Sequence, residues 1–240
     1  MKRKLMLIGW LFLSVCIHAQ ISTVDSKTLK TISDNWVATD GLNRELPDYS
    51  QVGDRKKNKT VGIFYYVWHG AHGNKVYDVT RILKENNKNP HWVPVKAYHF
   101  WGEPEYGYFC SIDPFVIRHD LQMLSNADID FMFFDTTNGV TYLDVVNKIC
   151  DISLDMRKQG TRTPQICFTT NSHSGRTMNV LYDKFYSQAK YRDLWFYWDG
   201  KPVIMGLATD PELRKDVKEF FTIKFSWAWT DAKNKPNHWQ

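Results

Sequence analysis

The chain has 240 residues, with 31 Lys and Arg against 26 Asp and Glu and a formal charge of +5, a length sufficient for one good core. Three of the basic residues fall in a leader whose removal brings the charge to +2, which gives no basis for a nucleic-acid-binding protein. No apolar run reaches the ~20 residues that a membrane-spanning helix requires, which argues against an integral membrane span.

Lys2-Arg3-Lys4 precedes an apolar run of about thirteen residues, 5–17, and His18-Ala19-Gln20 offers a small residue for cleavage. This is the pattern of a signal peptide over 1–19 and predicts a periplasmic or secreted protein. Leu13-Ser14-Val15-Cys16 resembles a lipobox with Val15 where Gly or Ala is usual, so a lipid anchor on Cys16 is the alternative. Residues 20–59 are polar and punctuated by Gly41, Pro47 and Gly53. They predict an N-terminal leader with at most a short helix over 26–32.

From Val61 the texture changes. The continuous apolar run 61–68 predicts a strand buried on both faces, ending in a loop that carries His69 and His72. A short helix over 79–85 follows, then a weak extended segment at 92–95 and a short strand at 98–101 that opens an aromatic loop. Ser111-Ile112-Asp113-Pro114 starts a helix, with Ser111 or, better, Asp113 as cap and Pro114 in the first turn. Val116, Ile117, Leu121 and Leu124 form its apolar stripe. The remaining expectations are strands at 129–135, 164–170, 202–206 and 221–229, and helices at 141–158, 177–186 and 210–219. Residues 194–198 lead through a tight turn at Asp199-Gly200-Lys201, with Trp195 and Trp198 as plugs of the wall.

Strands alternating with helices define an α/β protein with a mainly parallel sheet. No Gly-rich loop follows any strand, which argues against a nucleotide fold. Functional loops after successive strands point to a (β/α)8 barrel of TIM type over residues 60–240. Six strand–helix units of eight are expected, because a full barrel needs about 250 residues and about 180 follow Val61. The chain is therefore expected to stop short of a complete barrel. Cys16 leaves with the leader, and Cys110, Cys150 and Cys167 remain. Cys150 on a helix and Cys167 in a strand fit small core hydrophobes.

Several blocks together carry a family resemblance. They are Tyr65-Tyr66-Val67-Trp68-His69-Gly70, then Tyr98-His99-Phe100-Trp101-Gly102-Glu103-Pro104, the helix start at Ser111 through Asp120, and Phe133-Phe134-Asp135-Thr136-Thr137-Asn138-Gly139. With Asn171-Ser172, Leu194-Trp195-Phe196 and Phe225-Ser226-Trp227-Ala228-Trp229 they resemble bacterial glycoside hydrolases of the family 71/99-like group. The resemblance implies a (β/α)8 barrel acting on α-mannosidic links within glycan chains. It also implies essential glutamates late in the chain, and this sequence has no Glu after Glu219.

Glycoside hydrolysis uses two carboxyl groups flanking the scissile bond. Asp135, closing an apolar strand at the rim, and Glu103, in the aromatic loop, are the candidate catalytic pair, and Glu105 is a further candidate for binding. For Asp135 the competing reading is a helix cap. Trp68, Trp101 and Trp227 sit at or beyond strand ends, where they suit stacking against sugar faces. His69 and His99 fit neutral hydrogen-bond partners of a sugar. Asn138 fits a ring hydroxyl or, alternatively, a turn. His69, His72, Asp78 and His99 fall short of a convincing metal set, so neither metal nor cofactor is expected. The expected partner is an oligosaccharide or polysaccharide, handled by a glycoside hydrolase-like protein. The alternatives are a non-catalytic carbohydrate-binding protein and a non-functional gene fragment.

Overall fold

The computed structural model describes residues 38–54, 56–57, 59–70, 75–92 and 96–225. The signal-peptide segment, the helix expected at 26–32, His72 and Trp227 lie outside the described residues. Five parallel strands make the principal ladder: β1 (Gly62–Tyr65), β4 (Phe131–Thr136), β5 (Gln165–Thr170), β7 (Lys201–Met205) and β8 (Thr222–Lys224). Between successive members the chain forms α3 (Pro114–Asn126), α4 (Leu143–Lys158), α5 (Ser174–Leu181) and α6 (Lys215–Phe220). Each new strand is added on the same side of the last. That is the winding of a barrel wall, whereas a doubly wound sheet reverses at a switch point.

Local chemistry explains the boundaries. The Asp113 carboxylate accepts from the backbone N–H groups of Phe115 (2.8 Å) and Val116 (3.4 Å), with Pro114 in the first turn of α3. Asp199 and Gly200 both have positive φ and form a two-residue hairpin. It folds β6 (Tyr197–Trp198) antiparallel onto the start of β7. The helix expected at 177–186 begins earlier and passes into a π-helical turn at Tyr182–Tyr186. The helix expected at 210–219 is confined to α6.

Two expectations change. The strand at 98–101 forms as β3 (His99–Phe100), but it pairs with β2 (Tyr77–Asp78), just before α2 (Val79–Glu85), rather than with the ladder. The edge of β1 is taken by β4, with Gly62 opposite Phe131, and Phe100 is buried instead among His69, Tyr98, Tyr108 and Phe109. The run 61–68 is not buried on both faces. Ile63 and Phe64 are 38% and 46% exposed, because β4 is the one ladder neighbour of β1 among the described residues.

Alternation along the strands divides the core. Met132, Phe134, Ile166, Phe168 and Ile204 face the helices and pack with Ile117, Leu121, Val146, Ile149, Met178 and Leu181. Phe131, Cys167, Val203 and Met205 line the opposite, inner face with Phe196 and Phe133, and Phe131 stacks on Phe196 at 4.1 Å. Cys150 and Cys167 are buried free thiols and Cys110 is a half-buried one; burial pushes the first two well above the ordinary thiol pKa.

At the end of β7, Gly206 lies under a small hydroxyl network. Thr170 Oγ1 bonds Ser174 Oγ (2.8 Å) and donates to the Met205 carbonyl (3.1 Å). A Cβ on Gly206 would collide with Thr170 Oγ1 and stand 2.7 Å from Ser174 Oγ. Gly206→Ala is expected to destabilise the fold by about 1–3 kcal/mol, measured by urea unfolding. Gly41→Ala, which meets nothing within 4 Å, is expected to stay within about 0.5 kcal/mol of the parent.

Candidate active-site cluster

The parallel register places Tyr65 opposite Phe134, so the chain leaving β1 runs beside Asp135. Asp135 has the parity of Phe131 and Phe133 and therefore belongs to the inner face, at the C-terminal rim where barrel sites form. It is 6% exposed, and three donors satisfy it. The Trp68 indole Nε1–H donates to Oδ2 (3.0 Å), while the Thr137 backbone N–H (3.0 Å) and hydroxyl (2.7 Å) donate to Oδ1. It does not cap α4, whose cap position is Tyr142.

Aromatic rings surround this bond. Tyr66 stacks on Trp68 at 4.3 Å, Tyr142 lies parallel to Trp68 at 6.4 Å, and Tyr98 meets both Trp68 and Tyr66 edge-on at 6.0 Å. Tyr142 holds a left-handed backbone, φ 46°, which is rare for a bulky residue. Its hydroxyl accepts from Asn138 Nδ2 at 2.7 Å. Burial, then the neighbouring Tyr98, Asp135 and Tyr142, pushes the Tyr66 phenol far above its usual pKa. Burial raises Tyr98 as well. In Tyr142 burial and the Asp135 charge outweigh the bond from Asn138. All three phenols are neutral at physiological pH, each able to donate and accept. Their ring contacts with Trp68 gather all three around the indole that Asp135 holds.

His69 extends the cluster. Its ring packs on Tyr66, Tyr98 and Phe109 at 4.8–5.1 Å, and burial lowers its pKa, which keeps it neutral. Ser111 Oγ accepts the His69 backbone N–H at 2.9 Å, and His69 O accepts the Ser111 N–H at 3.0 Å.

Of the residues singled out from sequence, the fold brings Trp68, His69 and Asp135 together, with Asn138 joined through Tyr142. Asn138 Oδ1 also accepts the Val140 N–H at 3.0 Å, so it shapes the turn at the same time. His99 belongs to the neighbouring β2–β3 pair, where Nδ1–H donates to Ala97 O at 2.8 Å and Nε2 is buried without a partner among the described residues. Trp101 is 84% exposed, and Glu103 and Glu105 are exposed in the same loop.

Sequence reasoning missed Tyr66, Tyr98 and Tyr142 as site residues. It also missed a second polar pair, in which the Tyr65 hydroxyl donates to Asp120 Oδ2 at 2.8 Å. A signal for Asp120 exists: it lies three and four residues after Ile117 and Val116, on the apolar stripe of α3.

No protein-family model and no curated protein matches the chain. Among solved structures it is similar to the GH99 endo-α-mannosidase of Bacteroides thetaiotaomicron. One structure of that enzyme, in complex with Bis-Tris propane, has 19% identity and a TM-score of 0.36 over 61% of this chain and 41% of that one. Another has 17% identity and a TM-score of 0.44 over 69% and 55%. The chain thus spans about half the length of these structures.

Asp120 supplies a pH test. Burial raises its pKa above the ordinary carboxylate value, more than the Tyr65 bond and the neighbouring His119 lower it. The folded state therefore holds the proton more tightly than the unfolded one. The resulting penalty is absent below the ordinary carboxylate pKa and complete above the raised one. Asp120→Asn keeps an acceptor for Tyr65 and is expected to melt no lower than the parent at pH 7. That advantage should shrink as pH falls towards about 4. Melting curves between these limits check it, and an amide variant whose deficit grows with pH would contradict it.

Proposed function

We propose that the protein is an exported carbohydrate-active protein whose rim cluster binds an oligosaccharide or polysaccharide of α-mannosidic type. One observation carries the reading: an indole fixed by a buried carboxylate, with three neutral phenols in the same volume. Sugar rings offer apolar faces for stacking and hydroxyl edges for hydrogen bonds, and this cluster supplies both kinds of partner. Asp135 holds Trp68 in place, and the neutral phenols supply donors and acceptors for ring hydroxyls. The sequence blocks that resemble family 71/99-like hydrolases favour the α-mannosidic class. The proposal is one of binding; hydrolysis needs a second carboxyl group at a fixed separation, and Asp135 is the carboxylate whose charge acts on Tyr66 and Tyr142.

Calorimetric titration with α-linked mannose oligosaccharides tests it. Trp68→Ala is expected to weaken binding by about 1–3 kcal/mol through loss of the platform. Leu42→Ala, at an exposed position, should leave affinity unchanged. Equal affinities in parent and Trp68→Ala, with the fold intact, would return the indole to a packing role.

Export has its own test. N-terminal sequencing of protein recovered from an exporting host is expected to begin at Gln20. A chain starting at Met1, or a lipid-modified Cys16, would contradict cleavage after Ala19.

A further inference from the structure

A thioether is oxidised where solvent reaches it, and the fold shares that exposure unevenly among its methionines. Met132, Met156, Met178 and Met205 are buried, whereas Met123, on α3, is 53% exposed. Among the described residues it is the one methionine that an oxidant in solution meets directly.

Met123 also stands against a donor. The Tyr106 hydroxyl, from the aromatic loop between β3 and α3, donates to Met123 Sδ at 3.4 Å. The same oxygen lies 3.0 Å from His119 Nδ1, with the two rings 4.7 Å apart. His119 and Met123 are four residues apart on one helix and share a face, and the phenol bridges them. A phenol has one proton to give, and sulfur is a weak acceptor for it. With a hydrogen on Nδ1, His119 donates to the phenol oxygen and the phenol proton goes to sulfur. In the other tautomer Nδ1 takes the phenol proton. A thioether does little to choose between them.

We propose that Met123 is a site of oxidation to the sulfoxide by hydroperoxides, and that the sulfoxide fastens the aromatic loop to α3 more firmly than the thioether does. The peroxide delivers one oxygen to a sulfur lone pair. Its O–O bond breaks, an S–O bond forms, and sulfur gives up two electrons. The proton of the transferred hydroxyl goes to the leaving oxygen, which departs as water or an alcohol. Inside a core the polar sulfoxide disrupts packing, but Met123 is more than half exposed and that cost is small. The new oxygen is a stronger acceptor than sulfur, and its donor is already in place. The phenol proton then goes to the sulfoxide, and His119 keeps its hydrogen on Nδ1. The loop fastened in this way carries Trp101, Glu103 and Glu105.

The whole chain is treated with dilute hydrogen peroxide and mapped by peptide mass spectrometry. It is then exposed to a glutamate-specific protease while cleavage after Glu105 is followed in time. Met123 should oxidise before Met132, Met156, Met178 and Met205. The oxidised protein should be cut after Glu105 about threefold more slowly, the worth of one neutral hydrogen bond to the closed loop. Methionine sulfoxide reductases should restore the parent rate. In Met123→Leu, peroxide should leave the cleavage rate unchanged. In Tyr106→Phe, Met123 should oxidise as in the parent while the protection disappears. In nitrogen-15-labelled protein, oxidation should bring the His119 ring nitrogens to the pattern of an Nδ1-protonated imidazole. A buried methionine that oxidises ahead of Met123 overturns the site. Cleavage that is unchanged or faster after oxidation overturns the fastening of the loop. So does protection that survives Tyr106→Phe, or a peroxide effect that persists in Met123→Leu.

Discussion

The hydrogen bond from Trp68 to Asp135 is the constraint on which the site is arranged. It ties the chain leaving β1 to the end of β4, two strands already in parallel register. A buried carboxylate is costly unless its oxygens are satisfied, and here Thr137 occupies one while the indole occupies the other. The indole plane is fixed as a consequence. Tyr66 can then stack on one side, Tyr142 can lie parallel to it, and Tyr98 can meet its edge. Without that bond the rings would pack by area alone, which is non-directional.

The two faces of the sheet divide the work. The helix-facing side carries the long aliphatic and aromatic core that supplies most of the burial. The inner side carries a smaller, mostly aromatic cluster, and Asp135 sits at its top. Strand alternation makes this division automatic: the residues flanking Asp135, Phe134 and Thr136, point into the helix layer and are both buried. The rim thus gains a rigid base without adding polar groups to the core. At the edge, β1 leaves Ile63 and Phe64 exposed, and Gly62 is accommodated beneath the Phe131 ring, where any side chain would collide.

Much of the ladder was legible in the sequence. The apolar runs around Phe131 and Ile166 exceed what a helix stripe would show, and Asp113-Pro114 marks a helix start by its chemistry alone. Pairing was not legible. Nothing local in Tyr98-His99-Phe100 says that its partner is Tyr77-Asp78 rather than β1, because partner choice follows from tertiary packing of Phe100. The site was half legible for a similar reason. Asp135 and Trp68 stand out as polar and bulky groups at strand ends. Tyr66, Tyr98 and Tyr142, by contrast, look like ordinary members of aromatic runs, and only the fold gathers their rings around the one indole that Asp135 holds. Glu103 drew notice through its aromatic sequence neighbours, yet neighbours along a loop need not enclose a side chain, and it is exposed. Asp120 was hidden by the regularity of the apolar stripe that contains it.

The central claim is that glycan binds against an indole held by Asp135. The direct measurement follows the indole N–H resonances of the nitrogen-15-labelled protein, with Trp68 assigned through Trp68→Phe, during titration with an α-linked mannose oligosaccharide. The Trp68 N–H, bonded to a buried carboxylate, should exchange slowly with solvent and should shift as the glycan is added. A fast-exchanging Trp68 N–H, or a glycan that binds while this resonance stays still, would contradict the placement of the site.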